Sequence, residues 1–125
     1  WFMLFLTEPR LQQYKIIFLE KLAALADKTL IIVNGGLVAE DLEILESFGQ
    51  VLVRENTGYD TAAFRKGILT LGKEKLRHCS QLILVNDTNI GPMRDLAGVF
   101  QTMAVKNIDF WGISFGEIPG GYHRF

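Results

Sequence analysis

Leu82-Ile-Leu-Val runs directly into Asn86-Asp87-Thr88, and Gly91-Pro92 follows a few residues later. An aliphatic run of this kind reads as a strand buried on both faces, and ligands of open α/β sheets collect beyond the carboxyl ends of such strands. An amide, a carboxylate and a hydroxyl at that end form a hard oxygen cluster suited to Mg²⁺ or Mn²⁺ carrying a phosphate. Asp87 and Thr88 are therefore the candidate metal ligands, and Asn86 a candidate substrate-binding residue. The same residue types also build turns and helix caps before Gly-Pro, so this segment alone leaves both readings open.

Two further polar loops belong with it. Asn34-Gly35 closes an apolar run, and Arg54-Glu-Asn56-Thr-Gly58-Tyr59-Asp60 follows another. In a parallel sheet such loops line one edge, so Asn34, Gly35, Asn56, Gly58, Tyr59 and Asp60 are expected to face one crevice with Asn86. Gly58 lets backbone approach a ligand closely, and Asp60 sits near the start of a helix, where it binds or merely caps. Arg65, one turn further on, either reaches a phosphate or is a solvated charge. The loop has neither GxGxxG nor GxxxxGK[ST], which argues against a dehydrogenase and against a P-loop nucleotidase. Cys79 beside His78 is the single cysteine. It allows no intrachain disulfide and no cysteine-based zinc site, and without a Gly-rich elbow it reads as an incidental thiol in a reducing compartment.

The elements that must position these loops follow from periodicity. Apolar runs at Phe2 to Leu6, Leu30 to Val33, Val51 to Val53, Leu82 to Val85 and Phe110 to Ile113 read as strands. Between them lie helical patterns: Leu11 to Ala26 with a stripe of Tyr14, Ile17, Phe18, Leu22 and Leu25; a second helix with Leu42, Ile44, Leu45 and Phe48 ending at Gly49; a third with Ala62, Ala63, Phe64, Ile68 and Leu69 ending at Gly72; and a fourth opening at Pro92 with Leu96, Val99, Phe100 and Met103. The βαβαβαβαβ order predicts a single α/β domain over residues 1–125, an open, mostly parallel twisted sheet with helices on both faces and right-handed crossovers.

With 125 residues, 49% of them hydrophobic, the chain is long enough to bury a core of its own. A formal net charge of −1 argues against nucleic acid as a partner. No apolar stretch approaches the roughly 20 residues of a membrane span. The chain opens on Trp1 in a strand-like run and stops just after Gly120-Gly121, so it reads as a piece of a longer protein.

Arg54-Glu-Asn-Thr-Gly-Tyr-Asp60, Ala63-Phe-Arg-Lys-Gly67, Leu82-Ile-Leu-Val-Asn-Asp-Thr88 with Gly91-Pro92, and Asp109-Phe-Trp-Gly112 together resemble the rhamnan synthesis protein F family of bacterial polysaccharide glycosyltransferases. The blocks stand in the family's order and span nearly the whole chain. The resemblance implies the nucleotide-sugar-binding half of a GT-A-type, Rossmann-like fold, in which a strand-end acidic motif, usually DxD, holds a divalent cation against the donor diphosphate. Asn86-Asp87-Thr88 occupies that place with one carboxylate and two neutral oxygens, a less charged set than two carboxylates would make. By the same resemblance Asn34-Gly35 and the Asn56 to Asp60 loop cradle the nucleoside and ribose, and Arg65 lies near the sugar nucleotide.

The function so implied is transfer of a rhamnose-like deoxyhexose from a dTDP-activated donor to a glycan or lipid-linked acceptor in cell-surface polysaccharide or lipopolysaccharide synthesis. That implies a cytoplasmic domain, held at the inner face of the membrane by its parent protein. Asp109, Glu117 and His123 are the acids and bases that follow, each more simply read as structural, and the acceptor base is expected beyond Phe125. The alternatives are an α/β domain that binds nucleotide without transferring sugar, and a scaffold of the same fold. A receiver-like module would want acids clustered after the first strand, where Glu8 stands alone.

Overall fold

The computed structural model describes residues 2–6, 10–88, 90–113, 116–118 and 122–124, with 2–6, 116–118 and 122–124 described by backbone alone. The elements run β1 (Phe2–Leu6), α1 (Gln13–Ala23), β2 (Thr29–Asn34), α2 (Ala39–Phe48), β3 (Gln50–Arg54), α3 (Tyr59–Arg77), β4 (Ile83–Asn86), α4 (Leu96–Ala104), β5 (Gly116–Ile118) and β6 (Tyr122–Arg124). They fall into two compact units, Trp1–Arg94 and Asp95–Phe125.

The first unit is an open α/β sheet of order β3-β2-β1-β4, parallel at every pairing, with Leu4 opposite both Ile31 and Val85. Strand order steps outwards from β1 to β3 and then reverses to β4. Right-handed crossovers in such a sheet put α1 and α2 on one face and α3 on the other. Burial agrees: Leu30 and Ile32 form a core with Ala63 and Leu71 of α3, joined by Leu52, Phe64 and Ile68. Ile31 and Val33 point to the opposite face and are also fully buried, while α1 and α2 pack on each other and supply buried Phe18, Leu19, Leu22 and Leu45. The Asp41 carboxylate in the first turn of α2 accepts a bond from the Leu11 N–H at 2.8 Å, which ties the approach to α1 against α2.

Several expectations require correction. The strand covered on both faces is β2, not β4: β4 closes the order at an edge and leaves Leu84 44% exposed. In α1 the buried face is Lys15, Phe18, Leu19 and Leu22, whereas Ile17 is exposed and Leu25 lies beyond the helix end, so the helix is rotated relative to the stripe read from apolar residues alone. The third helical run does stop at Gly72, at φ 76° and ψ 162°, and what was not expected is the further helical stretch that follows it to Arg77. Pro92 follows a cis peptide bond and opens no helix; α4 starts at Leu96 behind Asp95, whose Oδ1 accepts from the Ala97 N–H at 3.1 Å.

The second unit lacks the expected strand at Phe110 to Ile113, where Phe110 and Ile113 are exposed and the backbone is irregular. Phe100 and Trp111 instead meet edge to face with ring centroids 5.2 Å apart. An unforeseen antiparallel pair, β5 and β6, sets Glu117 opposite His123. No helix of the described residues is long and apolar enough to cross a membrane.

Candidate functional site at the carboxyl edge of the sheet

Because β1 to β4 all run the same way, Asn34, Arg54 and Asn86 end their strands at one edge of the sheet. Asn34 is buried, and its side chain works as a hub. Its Nδ2 donates to Asn56 Oδ1 at 3.1 Å, and its Oδ1 accepts from Arg54 Nη1 at 2.9 Å. Arg54 Nη2 then donates to the Thr57 carbonyl at 2.6 Å and to Thr57 Oγ1 at 3.3 Å. Across the same strand ends the Gly35 N–H donates to the Arg54 carbonyl at 2.8 Å. A guanidinium is suited to this because its planar fork reaches two acceptors at fixed angles. The expected residues Asn34, Gly35 and Asn56 are thus brought together, by an arginine that the sequence reading left without a role.

Arg54 and Thr57 hold the loop that leads into α3, where Gly58 (φ 71°) and Tyr59 (φ 55°) both adopt the left-handed conformation. For tyrosine that backbone is costly, and such strain persists where surrounding structure imposes it. The Tyr59 ring is 84% exposed. Asp60 turns its Oδ1 back to the Thr61 N–H at 2.8 Å, a local bond in the first helical turn. Arg65 is exposed on α3.

The end of β4 is different. Thr88 Oγ1 donates to Asn86 Oδ1 at 2.9 Å, and Asp87, 6% exposed, takes an ion pair from Lys15 Nζ at 2.6 Å. Both charged side chains are 4% exposed. The pair joins the first turn of α1, which follows β1, to the loop after β4, and so sits where the strand order reverses. In doubly wound sheets that reversal opens the ligand crevice. Lys15 had a signal in the sequence: with Phe18, Leu19 and Leu22 it completes an i, i+3, i+4, i+7 face on which a lysine is out of place unless it meets an acid.

The oxygens expected to hold a metal have partners within the chain: one Asp87 carboxylate oxygen takes the Lys15 ammonium, and Asn86 Oδ1 accepts from Thr88 Oγ1. Among the described residues no group of three or more His, Cys, Asp or Glu side chains could hold a metal, and no buried side-chain nitrogen or oxygen lacks a partner.

Neither a curated protein nor a solved structure gives a significant match to this chain. A family model described as rhamnan synthesis protein F matches residues 29–123, which takes in the Asn34 hub, the Arg54 to Asp60 loop and the end of β4. On that match, over most of its length, the chain belongs to the rhamnan synthesis protein F family, and with it to the proteins of polysaccharide synthesis.

Proposed function

We propose that this chain is the donor-binding half of a glycosyltransferase that moves a rhamnose-like deoxyhexose from a dTDP-activated donor onto a glycan or lipid-linked acceptor. The observation that carries the reading is the Asn34, Arg54, Asn56 and Thr57 network, a polar surface built in advance on the carboxyl edge of a parallel sheet. Binding groups fixed before the ligand arrives lose little entropy when it does.

In this reading Asn56 and the backbone of Gly58 and Tyr59 receive the nucleoside and ribose, Arg54 positions them without touching the donor, and the exposed Tyr59 ring offers a stacking face. With β1 between β2 and β4, the Asn34 hub and the Asn86 to Thr88 turn stand about 10 Å apart at the usual strand spacing. An elongated ligand, with a nucleoside at one end and phosphates towards the other, bridges that span better than a lone sugar. As the acceptor oxygen bonds the sugar's anomeric carbon, cleavage of that carbon's bond to the diphosphate leaves negative charge on the departing group, for which Arg65, exposed on α3, is the candidate counter-charge. Asp109, Glu117 and His123 lie in the second unit, and none is assigned as the acceptor base. A cytoplasmic site with a lipopolysaccharide or other cell-surface product, the membrane being reached through a longer parent protein, belongs to the same reading.

The test is thermal unfolding with dTDP, UDP and GDP, each with Mg²⁺, Mn²⁺ or EDTA. Ligand at a hundred times its dissociation constant adds about 2.7 kcal/mol, a shift of several degrees for a domain of this size. A shift with one nucleotide, lost in Asn56→Ala, identifies the donor base; no shift with any of them removes the donor-site reading. A second reading, a domain that binds nucleotide without transferring sugar, is favoured by the neutralisation of Asp87. It predicts the same shift with no release of nucleoside diphosphate from dTDP-rhamnose in the presence of acceptor.

A further inference from the structure

The Asn34 hub has a direction. Arg54 Nη1 lies 2.9 Å from Asn34 Oδ1, and a guanidinium carries donors only, so the Asn34 amide must turn its oxygen towards Arg54 and its nitrogen the other way. That nitrogen donates to Asn56 Oδ1 at 3.1 Å. An amide that receives a donor at its oxygen holds its own NH₂ on the other side of the same plane, and Asn56 is exposed at the sheet edge. We infer that Arg54, through buried Asn34, sets the polarity of Asn56, which meets its ligand as a hydrogen-bond donor. On the donor-site reading, on which this rests, Asn56 then selects a nucleobase with a carbonyl at its pairing edge (uracil, thymine or a 6-oxopurine) over one with an amino group there.

A lone asparagine has no such preference, because half a turn about its last bond exchanges donor for acceptor with little change in shape. Asn34 removes that freedom from Asn56. It is 2% exposed, so its amide cannot replace a lost partner with water. Turned over, it would set its nitrogen against the guanidinium, donor against donor, inside a buried site. The guanidinium is itself anchored, since Arg54 Nη2 donates to the Thr57 carbonyl at 2.6 Å and to Thr57 Oγ1 at 3.3 Å. An amino base at Asn56 brings two donors together, and each gives up a water for nothing, whereas a carbonyl completes the chain of donors that starts at Arg54. One mismatch of this kind is worth about tenfold in affinity. Arg54 and Asn34 are on this account positioning residues, and Asn56 is the group that touches the base.

The test titrates the full chain with two matched pairs, UDP against CDP and inosine diphosphate against ADP, whose members differ only at that edge. The carbonyl-bearing member is expected to bind about tenfold tighter. Equal binding within a pair, or a preference for the amino member, overturns the inference. Asn34→Asp supplies a carboxylate that accepts from Arg54 and cannot donate, so Asn56 turns its nitrogen inwards and the preference should reverse. Asn56→Asp, at an exposed position that folding tolerates, puts an oxygen at the same place and should reverse it too. Variants that keep the original preference, or that weaken both members alike as loss of a merely structural hub would, overturn the inference. Failure of all four nucleotides to bind removes the donor-site reading, and the polarity is then decided without ligand, by exchange of the side-chain amide protons in NMR. Those of Asn34 should exchange slowly and those of Asn56 quickly, with Asn56 slowed in Asn34→Asp. No change at Asn56 between the wild type and Asn34→Asp overturns the inference.

Discussion

Lys15 and Asp87 show how little an ion pair's existence says about its contribution until the reference state is named. Two charges taken from water into a buried site lose hydration that their attraction only partly restores, yet removing one of them strands the other. Lys15→Met and Asp87→Leu should each cost about 3–5 kcal/mol in urea unfolding, while the double variant should lie well short of the sum and close to the wild type. Additive losses would mean that the two side chains do not interact in the folded protein. Arg54 is a different case, since it is only half-buried and acts through geometry more than charge. Arg54→Lys keeps the charge and loses the fork that reaches Asn34 and Thr57 together, so a loss of about 1–2 kcal/mol and weaker nucleotide binding are expected. An unchanged melting temperature with unchanged nucleotide shifts would show that the loop holds itself.

At the scale of elements, the turns between strands and helices set the tolerances. A Cβ at Gly49, where α2 ends and β3 is about to begin, would stand 2.5 Å from the Thr29 carbonyl oxygen, backbone that cannot swing aside. A Cβ at Gly58 would stand 2.7 Å from the Ala62 Cβ, at a φ of 71° that L-residues avoid. Gly49→Ala should therefore cost more than about 2 kcal/mol, and Gly58→Ala about 1–2 kcal/mol with disturbance of the Arg54 to Tyr59 loop, both measured by chemical denaturation. A neutral Gly49→Ala would mean that β2 and β3 separate freely at that end. Much of this level was legible beforehand: β2 from its β-branched run, α2 with its stop at Gly49, and the convergence of three polar loops on one edge. What was not legible has a common cause. The rotation of α1 depends on Lys15 meeting an acid far along the chain, and apolar periodicity cannot count a lysine as core. Phe110-Trp-Gly-Ile113 has strand-like composition, but composition cannot supply a partner strand, and the aromatic residues settle instead with Trp111 against Phe100.

For the whole molecule, the distribution of burial between the units decides what is rigid. Among the described residues every buried apolar side chain lies in the first unit, with Ile31, Ile32 and Val33 inaccessible between two helical layers. Among the described residues of the second unit, α4 has none that is buried, and Val105, Phe110 and Ile113 are largely exposed. Opening free energy follows buried contact, so amide exchange should be strongly uneven. Leu30 to Val33 are expected to exchange only through global unfolding, and the amides of α4 orders of magnitude faster. Protection of α4 equal to that of β2 would show that the second unit unfolds with the first. The same measurement with bound nucleotide carries the argument to function. A donor that rests on the Asn34 hub should slow exchange at Asn56 to Asp60 and around Asn86 to Thr88, while β2, already limited by global opening, slows only as far as binding stabilises the whole first unit. A uniform slowing without extra protection in those loops would place the ligand away from the carboxyl edge of the sheet.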